Sequence, residues 1–110
     1  MSDASLPEID VDELAAREGD GSFVLDVRQP DEYVEAHVPG AVLIPLNELV
    51  GRQQELPDDR PLLVICGSGP RSARAVEALR AAGYDATNVV GGTKAWVEAG
   101  FPVASGPATG

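Results

Sequence analysis

The sequence predicts an α/β fold of three layers, with a mostly parallel central sheet flanked by helices. Two observations carry that prediction. Short runs of branched apolar residues, such as Leu62 to Ile65, alternate along the chain with segments whose apolar residues recur at helical spacing. Strands joined through helices in this way call for right-handed β-α-β crossovers and hence parallel pairing. Folds of this kind place their chemistry at the carboxyl ends of strands.

The elements follow in order. Residues 1–8 are small and polar and read as a loose tail, as do residues 104–110, leaving a domain over 9–103. Asp10, with Glu13 three residues on, makes a capping-box pattern for a short helix with Val11, Leu14 and Ala15 on its apolar face; Gly19 to Gly21 end it. Phe23 to Val27 reads as a buried strand, and Asp26 is an unexpected carboxylate inside it. Pro30 to Ala36 predicts a helical turn, Ala41 to Ile44 a short strand bounded by Pro39-Gly40 and Pro45, and Leu46 to Gln54 a helix. Leu62 to Ile65 suits a central strand. From Arg71 to Ala82 the residues Ala73, Val76, Leu79 and Ala82 recur at helical spacing, with Gly83 following as the stop. Thr87 to Val90 predicts a last strand, Gly91-Gly92 a turn, and Thr93 to Ala99 a helix ended by Gly100.

Composition narrows the classes of function. The chain has 110 residues, enough for one compact domain, and a net charge of −10. That charge argues against nucleic acid or an anionic membrane as partner, since both need clustered cations. Residues 1–7 show neither a positive nor an apolar region of the signal-peptide kind, and no apolar run is long enough to span a membrane, so a cytoplasmic location is expected. Cys66 is the single cysteine, which excludes an internal disulfide and a multi-cysteine metal site and suits a reducing compartment. With one histidine besides, zinc has too few ligands, and no metal is expected.

The chemistry concentrates in Cys66-Gly67-Ser68-Gly69-Pro70-Arg71-Ser72, where a thiol at the end of a buried strand meets a tight loop and then a helix N-terminus. Gly67 and Gly69 allow the backbone to curl so that several N–H groups point at one spot. The helix dipole and the unpaired N–H groups of the first turn favour the thiolate over the thiol there. A thiolate is the nucleophile of sulfur chemistry, and Arg71 adds a planar fork suited to an oxyanion.

These residues resemble the rhodanese family of sulfurtransferases. Its single-domain members carry a Cys-x-x-Gly-x-Arg loop, matched at Cys66, Gly69 and Arg71. Leu25-Asp26-Val27-Arg28, Glu32-Tyr33 and His37-Val38-Pro39-Gly40-Ala41 are similar to the family's upstream signature, and Gly91-Gly92 with Trp96 to its closing turn and helix. The likeness spans about residues 9–103. Departures are Pro70, which removes one N–H from the cradle while stiffening a helix start, and Ala36 before His37, where the family usually has Gly.

The resemblance implies catalysis by Cys66 and Arg71 through a Cys66 persulfide. Gly67, Ser68, Gly69, Ser72 and Arg74 are the expected substrate-binding residues, with no cofactor. The donor would be a small sulfur-containing anion such as thiosulfate; the acceptor would be cyanide or a thiol, including a thiol-carrying protein. Asp26 and Arg28 read as a structural network tying the strand to Glu32 or to the loop, His37 as a turn-packing residue, Trp96 as core, and Arg74 equally as a solvated helix residue pairing with Glu77.

Four rivals are weighed beside this reading. Phosphatases of related fold use Cys-x5-Arg, whereas the spacing here is Cys-x4-Arg, a smaller cavity suited to sulfur. The opening Cys66-Gly67-Ser68-Gly69 is also similar to mercaptopyruvate sulfurtransferases, but those have two domains and lack an Arg at the position of Arg71. Non-catalytic interaction modules of the same fold often lack the cysteine that this chain keeps. A dedicated sulfur carrier to one partner would use the same Cys66 persulfide.

Overall fold

A computed structural model describes residues 6–68 and 70–107. Five strands form one sheet: β1 (Glu8–Ile9), β2 (Phe23–Asp26), β3 (Val42–Leu43), β4 (Leu62–Ile65) and β5 (Ala86–Val89). Their spatial order is β1-β5-β4-β2-β3, and every pairing in the sheet is parallel. Four α-helices accompany them: α1 (Val11–Ala16), α2 (Pro30–Glu35), α3 (Pro70–Ala81) and α4 (Gly92–Glu98).

β4 lies at the centre because it can be buried on both faces. Its four residues are all buried, and alternation sends them to two separate cores. Leu62, Val64 and then Cys66 pack with Ala75, Val76 and Leu79 of α3, while Leu63 and Ile65 pack with Leu14 of α1, Tyr33 of α2 and Trp96 of α4. The sheet is thus covered by α1, α2 and α4 on one side and by α3 on the other, which is the three-layer α/β arrangement expected.

The strand order fixes where a site can form. The chain steps outward through β2 to β3, then returns through β4 to β5. The neighbouring strands β2 and β4 therefore lead into helices on opposite faces, α2 and α3, and a crevice opens beyond their carboxyl ends. Asp26 and Ile65 are paired across that boundary, and Cys66 is the next residue.

Most elements lie within a residue or two of expectation, and four differ for physical reasons. Leu46 to Gln54 is not one α-helix but two 3-10 turns, Leu46–Glu48 and Val50–Glu55, with a kink at Arg52 (φ −123°, ψ 15°). Buried Leu49 and half-buried Leu46 are three residues apart, the spacing a 3-10 turn superposes, and β-branched Val50 with Gly51 weakens any longer helix. The buried face of α3 is Ser72, Ala75, Val76 and Leu79, whereas Ala82, expected on that face, is exposed. Glu8, read as tail, pairs in β1, and the Pro7 carbonyl accepts the Asn88 N–H, because edge pairing depends on backbone and not on side-chain pattern. Ala104 likewise exchanges backbone hydrogen bonds with His37, at 2.9 Å each way, so the described part of the C-terminal segment is tied down. The rest of both expected tails, residues 1–5 and 108–110, lies outside the described residues.

The Asp10 side chain accepts the Glu13 N–H at 2.9 Å and caps α1 as its pattern predicts. Among the described residues no helix is long and apolar enough to cross a membrane. Leu79 is fully buried between α3 and the sheet. Leu79→Ala is expected to cost about 2–5 kcal/mol of stability, measured by urea denaturation, with an unchanged helical spectrum in the folded baseline.

Candidate active site

The site is built on the end of β4. Cys66 is fully buried and its side chain belongs to the core beneath α3. Gly67 and Ser68 follow, Gly69 lies outside the described residues, and α3 begins at Pro70. Proline suits this first helical position, where its fixed φ matches the helix and its missing N–H would have had no partner within the helix.

What shapes the loop is α4. The Thr93 N–H donates to the Cys66 carbonyl at 2.8 Å and the Lys94 N–H donates to the Gly67 carbonyl at 3.0 Å. In a trans peptide the C=O and the following N–H point in opposite directions, and the described chain has no cis bond. With both carbonyls turned toward α4, the N–H groups of Gly67 and Ser68 are turned away from it. Gly92 makes the approach possible: it has φ +61°, and a Cβ there would lie 2.5 Å from the Cys66 carbonyl oxygen and 2.6 Å from that of Gly67. Any side chain would push α4 off the loop.

Behind the sulfur stands a polar pair. The Ser72 hydroxyl lies 3.3 Å from Cys66 Sγ and 2.5 Å from Asn88 Oδ1, all three residues being buried. A hydroxyl placed between an amide and a sulfur can turn its hydrogen toward whichever carries more negative charge.

Two arginines reach this region, each already engaged. Arg28 binds the Asp26 carboxylate through Nε at 3.0 Å and Nη2 at 2.8 Å, donates its own N–H to Asp26 at 3.0 Å, and reaches the Ala36 carbonyl at 2.7 Å. This buried network ties β2 to the chain beyond α2. Arg71 grips Glu32 bidentately at 2.7 and 3.0 Å, joining α3 to α2 across the crevice. Those hydrogen bonds hold the Glu32 carboxyl down to about 2 and push the Arg71 guanidinium above its ordinary range. Glu32 also accepts the Gln29 N–H, completing a capping box at the start of α2.

Of the other residues singled out by sequence, Ser68 and Arg74 are exposed. His37 is fully buried, stacks on Tyr33 with ring centroids 3.7 Å apart, and donates from Nδ1 to the Tyr33 carbonyl at 2.7 Å. It is tied to α2 and to Ala104, and among the described residues no hydrogen bond joins it to the Cys66 loop. Trp96 is buried, with its N–H on the Pro102 carbonyl.

Sequence reasoning missed Asn88, the loop-binding N–H groups of Thr93 and Lys94, and the carboxylate partner of Arg71. Asn88 had the same signal as Asp26, a polar residue inside a buried strand. A recess of about 400 Å³ beside the loop is lined by Arg28, Gly67, Thr93, Lys94, Val97 and Glu98.

A buried cysteine thus stands at the switch point of a parallel sheet, between the end of β4 and the start of α3, where open α/β folds place their chemistry. The rhodanese-like domain family model matches residues 10–99, and the chain belongs to that family. It is 36% identical over 99 residues to a sulfurtransferase of Allochromatium vinosum, covering 87% of this chain and 92% of that one. It is 38% identical over 96 residues to the Bacillus subtilis protein YrkF, whose name describes a sulfur carrier; the match takes in 84% of this chain but only 52% of YrkF. Among solved structures, a rhodanese-related protein of Thermoplasma volcanium superposes with a TM-score of 0.85 at 36% identity, covering 89% of this chain and 97% of that one.

Two predictions follow from the geometry. Gly92→Ala is expected to destabilise the fold by about 1–3 kcal/mol, read by thermal melting, and to slow any reaction of Cys66 because the loop carbonyls lose their donors. For Glu32, a carboxyl lowered from 4.5 to about 2 contributes stability that is complete above pH 4.5 and lost as the pH falls toward 2. The melting-temperature difference between wild type and Glu32→Gln should be flat above that range and shrink below it; since the pair is part-exposed, the whole effect should be about 1 kcal/mol or less.

Proposed function

We propose that the protein is a sulfurtransferase that carries a sulfane sulfur on Cys66 as a persulfide. The observation that supports this reading is the loop whose Cys66 and Gly67 carbonyls are tied to α4, which turns the N–H groups of Gly67 and Ser68 away from that helix, with the Ser72 hydroxyl 3.3 Å from Cys66 Sγ. Such a cradle stabilises a second sulfur bearing negative charge.

In the first half-reaction the Cys66 thiolate attacks the outer sulfur of thiosulfate. A Cys66–sulfur bond forms, the sulfur–sulfur bond of the donor breaks, and sulfite leaves with the electron pair. In the second, an acceptor, cyanide or a thiolate, attacks the outer sulfur of the persulfide and Cys66 leaves as thiolate. Each step moves one sulfane sulfur and needs no added oxidant or reductant. Arg71 uses two of its five N–H groups on Glu32, and the others are available to the donor's oxyanion at the rim. Gly67, Ser68 and Gly69 supply loop amides, and Ser72 a hydroxyl close to the sulfur. Arg74, exposed on α3, adds positive charge to the approach. A reduced, single-cysteine site suits the cytoplasm.

A sulfur carrier delivering to one protein partner is the second reading, favoured by the name of the Bacillus subtilis relative. It uses the same persulfide and departs only at the acceptor.

Intact mass after incubation of reduced protein with thiosulfate tests the proposal. The expected result is a gain of one sulfur atom, removed by cyanide and absent in Cys66→Ser. An unmodified wild type with every sulfane donor tried would overturn it.

A further inference from the structure

Sulfur transfer as proposed uses Ser72 but not the residue behind it. Asn88 stands inside β5, paired with Val64 of β4 on one side and with Glu8 of β1 on the other. Strand alternation puts its side chain on the same face as Ala86, in the layer where Ala86, Val64 and Cys66 pack beneath α3. It is 3% exposed. An amide in such a layer gives up its water, a cost that a leucine or valine packed there would not carry. Among the described residues its side chain makes one hydrogen bond, with the Ser72 hydroxyl, and that hydroxyl lies 3.3 Å from Cys66 Sγ. The amide's polar contact therefore leads straight to the reactive sulfur.

The three groups form a chain whose direction can reverse. A serine hydroxyl has one hydrogen to give, and its oxygen also accepts. In the structure the Asn88 oxygen faces Ser72, 2.5 Å from Oγ, so the hydroxyl donates to Asn88 and its oxygen presents lone pairs to the Cys66 thiol. That direction suits a neutral S–H. A thiolate needs a donor instead, and once the hydroxyl hydrogen turns to the sulfur, two oxygens are left facing each other between Ser72 and Asn88. A half-turn of the amide removes the conflict by bringing Nδ2–H to Ser72 Oγ. Asparagine is suited to this, because the two ends of its amide have nearly the same shape and opposite hydrogen-bonding roles, whereas an ionised aspartate only accepts. Resting on the sulfur-transfer reading, we propose that Asn88 is a positioning residue that acts through Ser72: its amide turns over as Cys66 ionises, so that the Ser72 hydroxyl donates to the thiolate. The hydroxyl keeps its hydrogen throughout, and the thiol proton passes to solvent base. The same arrangement serves both half-reactions, since Cys66 attacks as a thiolate in the first and departs as one in the second.

The test follows the ionisation of Cys66 by its rate of alkylation with iodoacetamide across pH, beside its loading from thiosulfate. In Asn88→Leu the midpoint of the alkylation profile is expected to rise by about half a unit to one unit, and loading below both midpoints to slow about three- to tenfold. In Ser72→Ala the midpoint is raised already, and adding Asn88→Leu moves it no further; an effect of Asn88 on the fold alone would persist in that background. A measurement on the unaltered residue stands whether or not the Asn88 variant folds. The side-chain amide resonances of Asn88, followed by NMR through the titration, are expected to move with the Cys66 midpoint in wild type and to stay in place in Ser72→Ala. An unshifted midpoint in folded Asn88→Leu, an equal shift with and without the Ser72 hydroxyl, or amide resonances that ignore the ionisation of Cys66 would overturn the role of Asn88. Alkylation needs no sulfur donor, so the two readings fail separately: a midpoint that depends on Asn88 in a protein that never loads removes sulfur transfer alone, and normal loading with no such dependence removes the chain alone.

Discussion

Everything at this site depends on two backbone hydrogen bonds, from the Thr93 and Lys94 N–H groups to the Cys66 and Gly67 carbonyls. A loop following a buried strand has no ladder to orient it, and its peptide groups could turn either way. Fixing two carbonyls fixes the N–H groups that share their planes. The fixation needs α4 against the loop at backbone distance, which needs Gly92 without a side chain and with positive φ. That in turn needs β5 beside β4, so that the turn after β5 arrives next to Cys66. The parallel sheet is thus the frame that brings two loops, distant in sequence, to one point.

The electrostatic design of the crevice is local and does not follow the chain's net charge of −10. Asp26 and Glu32 are each bound to an arginine, so the carboxylates of the crevice are neutralised where they stand. The buried pair fixes β2 to the chain beyond α2, and the part-exposed pair fixes α3 to α2; both serve geometry more than stability. Beside the sulfur stands the Ser72 hydroxyl, 3.3 Å away, a partial charge that can stabilise an anion without demanding a counterion.

Much of this was legible in the sequence, and the parts that were not share a cause. β4 and the start of α3 could be read almost to the residue, because a four-residue apolar run and a helical repeat are strong local signals. Asp26 stood out as a carboxylate in an apolar strand, and its buried ion pair is the reason. Asn88 stands in β5 with the same meaning, but threonine before it makes the run look less apolar. The 3-10 turns read as a helix in the sequence because apolar spacings of three and four residues do not separate the two forms over one or two turns. β1 escaped because a two-residue edge strand is held by backbone pairing. The Arg71–Glu32 pair joins residues 39 apart in sequence, and only the crossing of α2 and α3 brings them together.

On the proposed function, the loop is built in advance to hold a second sulfur on Cys66. The most direct measurement is a crystal structure of the protein after exposure to thiosulfate. One additional sulfur is expected on Cys66 Sγ, enclosed by loop N–H groups at hydrogen-bond distance, with the carbonyls of Cys66 and Gly67 still on Thr93 and Lys94. A modified Cys66 whose outer sulfur points away from the loop amides, or a loop that must break from α4 to accept it, would contradict a preformed cradle.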